Sequence, residues 1–211
     1  MQNTRHKLDE TLLTTSLVTV VLISNIIGAK AALLFGLSLP VGVFIFPVSY
    51  FFGSSLAEVY GYHVARRAIL LALFGSLLFA VCAWIATALP SDPNWQQHEA
   101  TYNLFLEQAS MIVLGSLFAF LVGELWNAKV LLKLKTRWQG KRFSLRALIA
   151  MASGEVLSTF LMISIGFSKS LPQEAILKMA IHYYLFKVGF FFLLLPALSM
   201  LVKYLKLQQR L

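Results

Sequence analysis

Apolar residues in this chain neither alternate nor gather into narrow amphipathic stripes. They run in six long blocks, at residues 11–30, 37–60, 68–89, 108–130, 145–167 and 175–205, parted by short polar segments. Apolar runs of this length predict membrane-spanning helices. A transmembrane barrel would show strands of alternating polarity, which the blocks do not. The pattern therefore predicts an all-α polytopic membrane protein with six transmembrane helices. Residues 1–10 and 206–211 form short polar tails around a transmembrane domain at 11–205. No A-x-A cleavage signal follows the first block, so it is expected to be a retained span rather than a signal peptide.

Proline and glycine refine the blocks. The short Gly-containing connection after residue 30 predicts that spans one and two form a hairpin. Pro40 and Pro47 are expected to bend or break regular helix at the start of span two. Pro90 ends span three, and the polar segment at 91–103 reads as a loop. Span six holds Pro196 and exceeds what a bilayer needs, so it should tilt, kink or protrude. Small residues such as Gly28, Gly42, Gly53, Gly115, Gly123 and Gly154 predict close helix approach.

Composition supports this class. Hydrophobic residues make up 58% of the chain and charged residues 13%, about half the charge of a soluble domain, roughly 25%. The formal net charge of +9 would point to nucleic acid in a soluble protein. Here the basic residues lie between the apolar blocks, where they set topology. Fourteen fall on one side, including Arg5, Lys7, Arg66, Arg67, the stretch from Lys129 to Arg146, Lys203, Lys206 and Arg210. Lys30, Lys169 and Lys178 fall on the other, and Lys187 lies within span six. Both termini are therefore expected to be cytoplasmic. The stretch 129–146 is expected to meet anionic membrane lipid, and no nucleic-acid partner is expected. Cys82 stands alone within a block and reads as a packing residue.

Charges inside a bilayer are expensive, so they mark cavities or pairs. The candidates are Glu58, Glu124, Glu155 and Lys187, with Asn25, Lys30, Asn127, His182 and Tyr183 behind them. Glu58, near the end of span two, reads either as a solute or coupling residue or as an ion pair with Arg66, Arg67 or another basic group. Glu124 and Asn127 share a helical face. Glu155 could accept two parallel hydrogen bonds from a donor-rich solute, or pair with Lys187. His182, Tyr183, Phe186 and Lys187 occupy neighbouring positions that suit a planar heterocycle. Gly123-Glu124 and Gly154-Glu155 repeat a glycine–carboxylate pair, a weak internal echo of the kind found in transporters. No HExxH, GxSxG or phosphate-binding loop is present. No metal or cofactor is expected, and no enzymatic role is favoured.

The stretch FPVSYFFGSSLAEVYGYHVARR at 46–67 resembles the queuosine precursor transporters, also called the vitamin-uptake-transporter-like family of bacterial inner-membrane proteins. Asn25, the patch at 152–167 and YLFKVGFFFLLLP at 184–196 extend the resemblance over about residues 15–205. It implies six spans and import of a 7-deazaguanine base. Lys187 sits at the family's span-six lysine. Where the family usually has aspartates, this chain has Ser54 and Ser158. Glu58 and Glu155, one turn away from them, are expected to restore the carboxylates. The candidate binding set is Glu155, Lys187, Tyr183, Glu58, Asn25, Ser54 and Ser158. The candidate coupling or ion-pair set is Glu124, Glu58, Arg66 and Arg67. The energy source stays open between proton coupling and energising ATPase subunits. Other heterocycles or vitamins, and an integral membrane enzyme, stay as alternatives.

Overall fold

In the computed structural model, which describes residues 2–34, 36–167 and 172–208, the chain is almost entirely helical. Six helices are long and apolar enough to cross a membrane, as the blocks predict. They are α1 (Gln2–Ile27), α2 (Phe46–Val59), α3 (Tyr62–Ala88), α4 (Gln96–Arg137), α5 (Phe143–Gly166) and α6 (Gln173–Gln208). Lys169 and Arg210 lie outside the described residues.

The helices are sorted by side-chain size as much as by polarity. On α3, Ala65, Ala68, Ala72, Ser76, Ala80 and Ala83 recur at helical spacing and are buried. Leu71, Phe74, Leu78 and Trp84 point outward. Lipid is as apolar as leucine, so burying large apolar groups gains little there. Small residues instead let backbones approach and pack. On α1, Leu13, Leu17 and Val21 form the buried stripe. Cys82 lies exposed on the outer face of α3, which corrects its reading as a packing residue.

The connection between α1 and α2 differs from expectation. Strands β1 (Ala31–Leu34) and β2 (Leu37–Pro40) pair antiparallel, with Ala31 opposite Pro40 and Leu34 opposite Leu37. Gly36 supplies the positive φ of 79° that the tight turn requires. A 3₁₀ turn at Val41–Phe44 then leads into α2. Pro47 sits in the first turn of α2, where its missing N–H costs nothing. At 14 residues, α2 is only about 21 Å long, short of the roughly 30 Å hydrocarbon core. Together with the 3₁₀ turn, the segment Val41–Val59 is long and apolar enough to cross. Leu39 and Val43 from this segment pack with Ile112, Met162, Phe167 and Tyr183 from the three long C-terminal helices.

Other helices outrun their expected spans, α4 most of all. The segment read as a loop at 91–103 is mostly the start of α4, and the basic segment after residue 129 is its end. Glu99 lies in its first turn and Lys135 and Arg137 in its last, each complementing the helix dipole. α6 continues past Pro196 as one helix. α4 packs most extensively against α5 and α3, while α6 packs against α5 and α2. α2 is the most enclosed element, and the functional residues surround it.

Candidate functional site

Phe46, Ser49, Tyr50, Gly53 and Ser54 recur on α2 at three- and four-residue spacing, so one face carries them all. That face meets Glu124 and Asn127 of α4, Glu155, Ser158 and Thr159 of α5, and Lys187 of α6. All of these residues are buried, and apart from Phe46 at 6% and Gly53 each is at most 3% exposed. Glycines set the spacing. A Cβ on Gly53 would lie 2.8 Å from Glu124 Oε2. One on Gly154 would lie 2.5 Å from the carbonyl oxygen of Gly123. The two Gly-Glu pairs legible in the sequence therefore face each other across the α4–α5 contact.

Glu155 Oε2 accepts hydrogen bonds from Lys187 Nζ at 3.0 Å and from the Thr159 hydroxyl at 2.5 Å. The Lys187 ammonium also sits over the rings of Phe46 at 4.0 Å and Tyr183 at 4.1 Å. Such contacts are worth up to about 2 kcal/mol when desolvated. The lysine is thus held by one charge and two aromatic faces. Glu124 Oε1 accepts from the Ser49 hydroxyl at 3.0 Å. Asn127 Nδ2 donates to Ser54 Oγ at 3.4 Å, and Ser158 donates to the carbonyl of its own Glu155. Tyr50 Oη neighbours Ser158 and Glu155 without bonding to either.

Four buried polar atoms among the described residues lack a partner: Tyr50 Oη, Glu124 Oε2, Asn127 Oδ1 and Glu155 Oε1. All four belong to this cluster. Buried polar groups are paired in the great majority of cases, and inside a membrane no water stands ready to pair them. A cluster that orphans three acceptors and one hydroxyl suits a donor-rich ligand.

Glu58 lies apart, at the end of α2. Arg146 donates to both its oxygens, from Nη1 at 3.0 Å and Nη2 at 3.3 Å. Lys206 donates to Oε1, and Lys135 Nζ stands 3.7 Å from the same atom while bonding the Glu58 carbonyl. One carboxylate thereby ties the ends of α2, α4, α5 and α6. Its partners are not Arg66 and Arg67, which are exposed: the turn at Gly61 starts α3 there, and the cations that reach Glu58 come from distant segments. Glu58 is accordingly not brought to the Ser54 position, because its side chain is fully engaged by this ion network. Nearby, Tyr60 has its phenol pushed up to about 12 by burial and by the charges of Asp9 and Glu10. That contact brings the start of α1 beside the end of α2.

Asn25 forms a third node. It donates to Ser76 Oγ at 3.3 Å and accepts from Ser116 at 3.2 Å, stapling α1 to α3 and α4. Its polar atoms are engaged there and not with Glu155.

Of the sequence candidates, Glu155, Lys187, Tyr183, Ser54, Ser158, Glu124 and Asn127 come together. His182 is only half-buried, and Lys187 takes the place beside Glu155. Sequence reasoning passed over Phe46, Ser49, Tyr50 and Thr159. Their spacing on α2, and Thr159 four residues after Glu155, was the available signal. Arg146 and Lys206 carried none, since both looked like topology-setting cations.

Among known proteins, no curated protein and no solved structure matches this chain. One family model does match, described as "Putative vitamin uptake transporter", over residues 40–201. The match takes in every residue of the buried cluster and Glu58, Lys135 and Arg146 of the ion network, and ends before Lys206. With six membrane-crossing helices and most of its length matched, the chain is a multi-pass membrane protein that belongs to the vitamin uptake transporter family.

Proposed function

We propose that the protein imports a 7-deazaguanine precursor of queuosine across the bacterial inner membrane. The observation that carries this reading is the pair of unpaired buried acceptors Glu155 Oε1 and Asn127 Oδ1. A guanine-type edge presents a ring N–H and an amino group side by side, and a carboxylate accepts both in parallel. Phe46 and Tyr183 supply flat apolar faces beside those acceptors, as a planar base requires. Ser54 and Ser158, where relatives suggested by the resemblance have aspartates, stand within the cluster. Glu155 and Glu124 bring carboxylates to it from α5 and α4.

The site is sealed in this conformation. The Glu58 network closes one end of the bundle, and the β1–β2 hairpin with its 3₁₀ turn packs over the other. Solute passage requires these two closures to open in turn.

Labelled 7-cyano-7-deazaguanine offered to queuosine-auxotrophic cells tests the reading. Uptake should require the protein and should fall at least tenfold in Glu155→Gln. Absence of uptake by a well-expressed protein would overturn the deazaguanine assignment. The family's description favours a vitamin as the second reading, and a vitamin screen in the same cells would then identify the solute.

A further inference from the structure

The two carboxyls of the buried cluster have different surroundings. Glu155 has an ammonium at 3.0 Å and a hydroxyl at 2.5 Å on one oxygen. Glu124 has only neutral polar groups against it, the Ser49 hydroxyl on Oε1 and the Asn127 amide. Among the described residues no lysine, arginine or histidine forms an ion pair with it. Its Oε2 is unpaired and lies against Gly53.

A carboxylate at 0% exposure with neutral groups alone against it is a poor host for a negative charge. The groups facing it do not change this. They are Tyr50 from α2, Glu155 from α5 and Lys187 from α6. Lys187 is already matched to Glu155, so a second negative charge would be uncompensated. On α1 and α3 the charged residues lie in the N-terminal thirds, away from the cluster.

A proton on Glu124 resolves the geometry. It turns Oε2 from an orphaned acceptor into a donor. Asn127, one turn later on α4, sits beside this carboxyl, and its Oδ1 is an orphaned acceptor. Oε2 then needs no ammonium partner, and Glu155 Oε1 and Asn127 Oδ1 remain open to the donors of a solute.

We propose that Glu124 is the proton-carrying group of the transporter and that the solute moves together with one proton. This rests on reading the cluster as the solute site. With the cluster open to the outside, Glu124 takes a proton from water, forming the Oε2–H bond. With the cluster open to the cytoplasm, that bond breaks, the electron pair stays on the carboxylate, and the proton passes to water. Only bulk water exchanges protons, so no further reactant is needed. Glu155 and Lys187 keep their charges throughout and hold the solute.

Two measurements on the full-length protein test this. The first needs no solute: infrared spectra of the purified protein at neutral pH, compared with Glu124→Gln. The wild type should show the carbonyl stretch of a protonated carboxylic acid, and the variant should lack it. An unchanged spectrum would overturn the proposal even if the solute were misassigned. The second uses proteoliposomes and labelled 7-cyano-7-deazaguanine. At zero membrane potential, wild-type accumulation should rise about tenfold per unit of inward pH gradient. Glu124→Gln should lose that dependence, and Glu124→Asp should recover part of it. Accumulation by Glu124→Gln that still follows the gradient would overturn the role of Glu124. No transport of the probe by wild type, with the acid band present, would overturn the solute assignment alone.

Discussion

Removing Arg146 should cost more stability than any other single truncation at the helix ends. Its guanidinium makes two bonds to Glu58 and donates to the carbonyls of Leu131, Gly140 and Lys141. All of its side chain is buried. Arg146→Ala strips the fork from Glu58 and leaves a fully buried carboxylate facing only Lys206 and Lys135. Breaking a buried pair from one side costs about 3–5 kcal/mol. The two lysines are more than a third exposed, so solvent screens their share and they compensate little. For a chain of this length that loss corresponds to a melting temperature lower by on the order of 10 °C. Thermal unfolding of the detergent-solubilised protein measures it. Arg146→Lys keeps the charge but not the planar fork, and should fall between the two. The double change Glu58→Gln with Arg146→Met removes both buried charges and should recover much of the loss. An Arg146→Ala melt within about 2 °C of wild type, under roughly 1 kcal/mol, would refute the idea that Glu58 is held mainly by this fork. So would a double variant no better than the sum of its singles.

Gly154→Ala places a Cβ 2.5 Å from the Gly123 carbonyl oxygen. It should destabilise by about 1–3 kcal/mol in the same melt, whereas Gly189→Ala meets nothing within 4 Å and should stay within about 0.5 kcal/mol. Lys187→Met leaves Glu155 with only the Thr159 hydroxyl, and solute uptake should fall at least tenfold, read in the auxotroph assay. Asn25→Leu loses the bonds to Ser76 and Ser116 and should lower stability by about 1 kcal/mol. Tyr60 should ionise near 12, as the ultraviolet difference between wild type and Tyr60→Phe reports. Because its folded pKa is raised, its contribution to stability is complete below about pH 10 and lost as pH climbs through about 12.

Six helices were legible because a bilayer imposes length and apolarity on each crossing, and both are written in consecutive residues. Helix ends were less legible. The polar start and basic end of α4 lie beyond its apolar block, where the same helix continues with ordinary soluble composition, so apolarity stops marking it. The β1–β2 hairpin was missed because β1 falls in the short connection between two blocks and β2 at the start of the next, where four apolar residues read as loop or as helix. Of the candidate site, Glu155, Lys187, Tyr183 and Glu124 stood out as charged or polar residues in apolar surroundings. Ser49, Tyr50 and Thr159 did not, since hydroxyls are common in membrane helices.

Composition, block length and the placement of basic residues by themselves determined a six-helix membrane protein with carboxylates and a lysine inside it. Local chemistry suffices for that, because the solvent acts on each segment separately. Which carboxylate meets which cation was decided only in three dimensions. Glu58 lies eight residues from Arg66 in sequence, yet it pairs with Arg146 and Lys206. Glu155 draws Lys187 from α6, and Glu124 is left with a serine. Those partnerships depend on helix crossings set by buried glycines and alanines, whose contacts join segments distant in the chain, and no reading along the chain contains those distances.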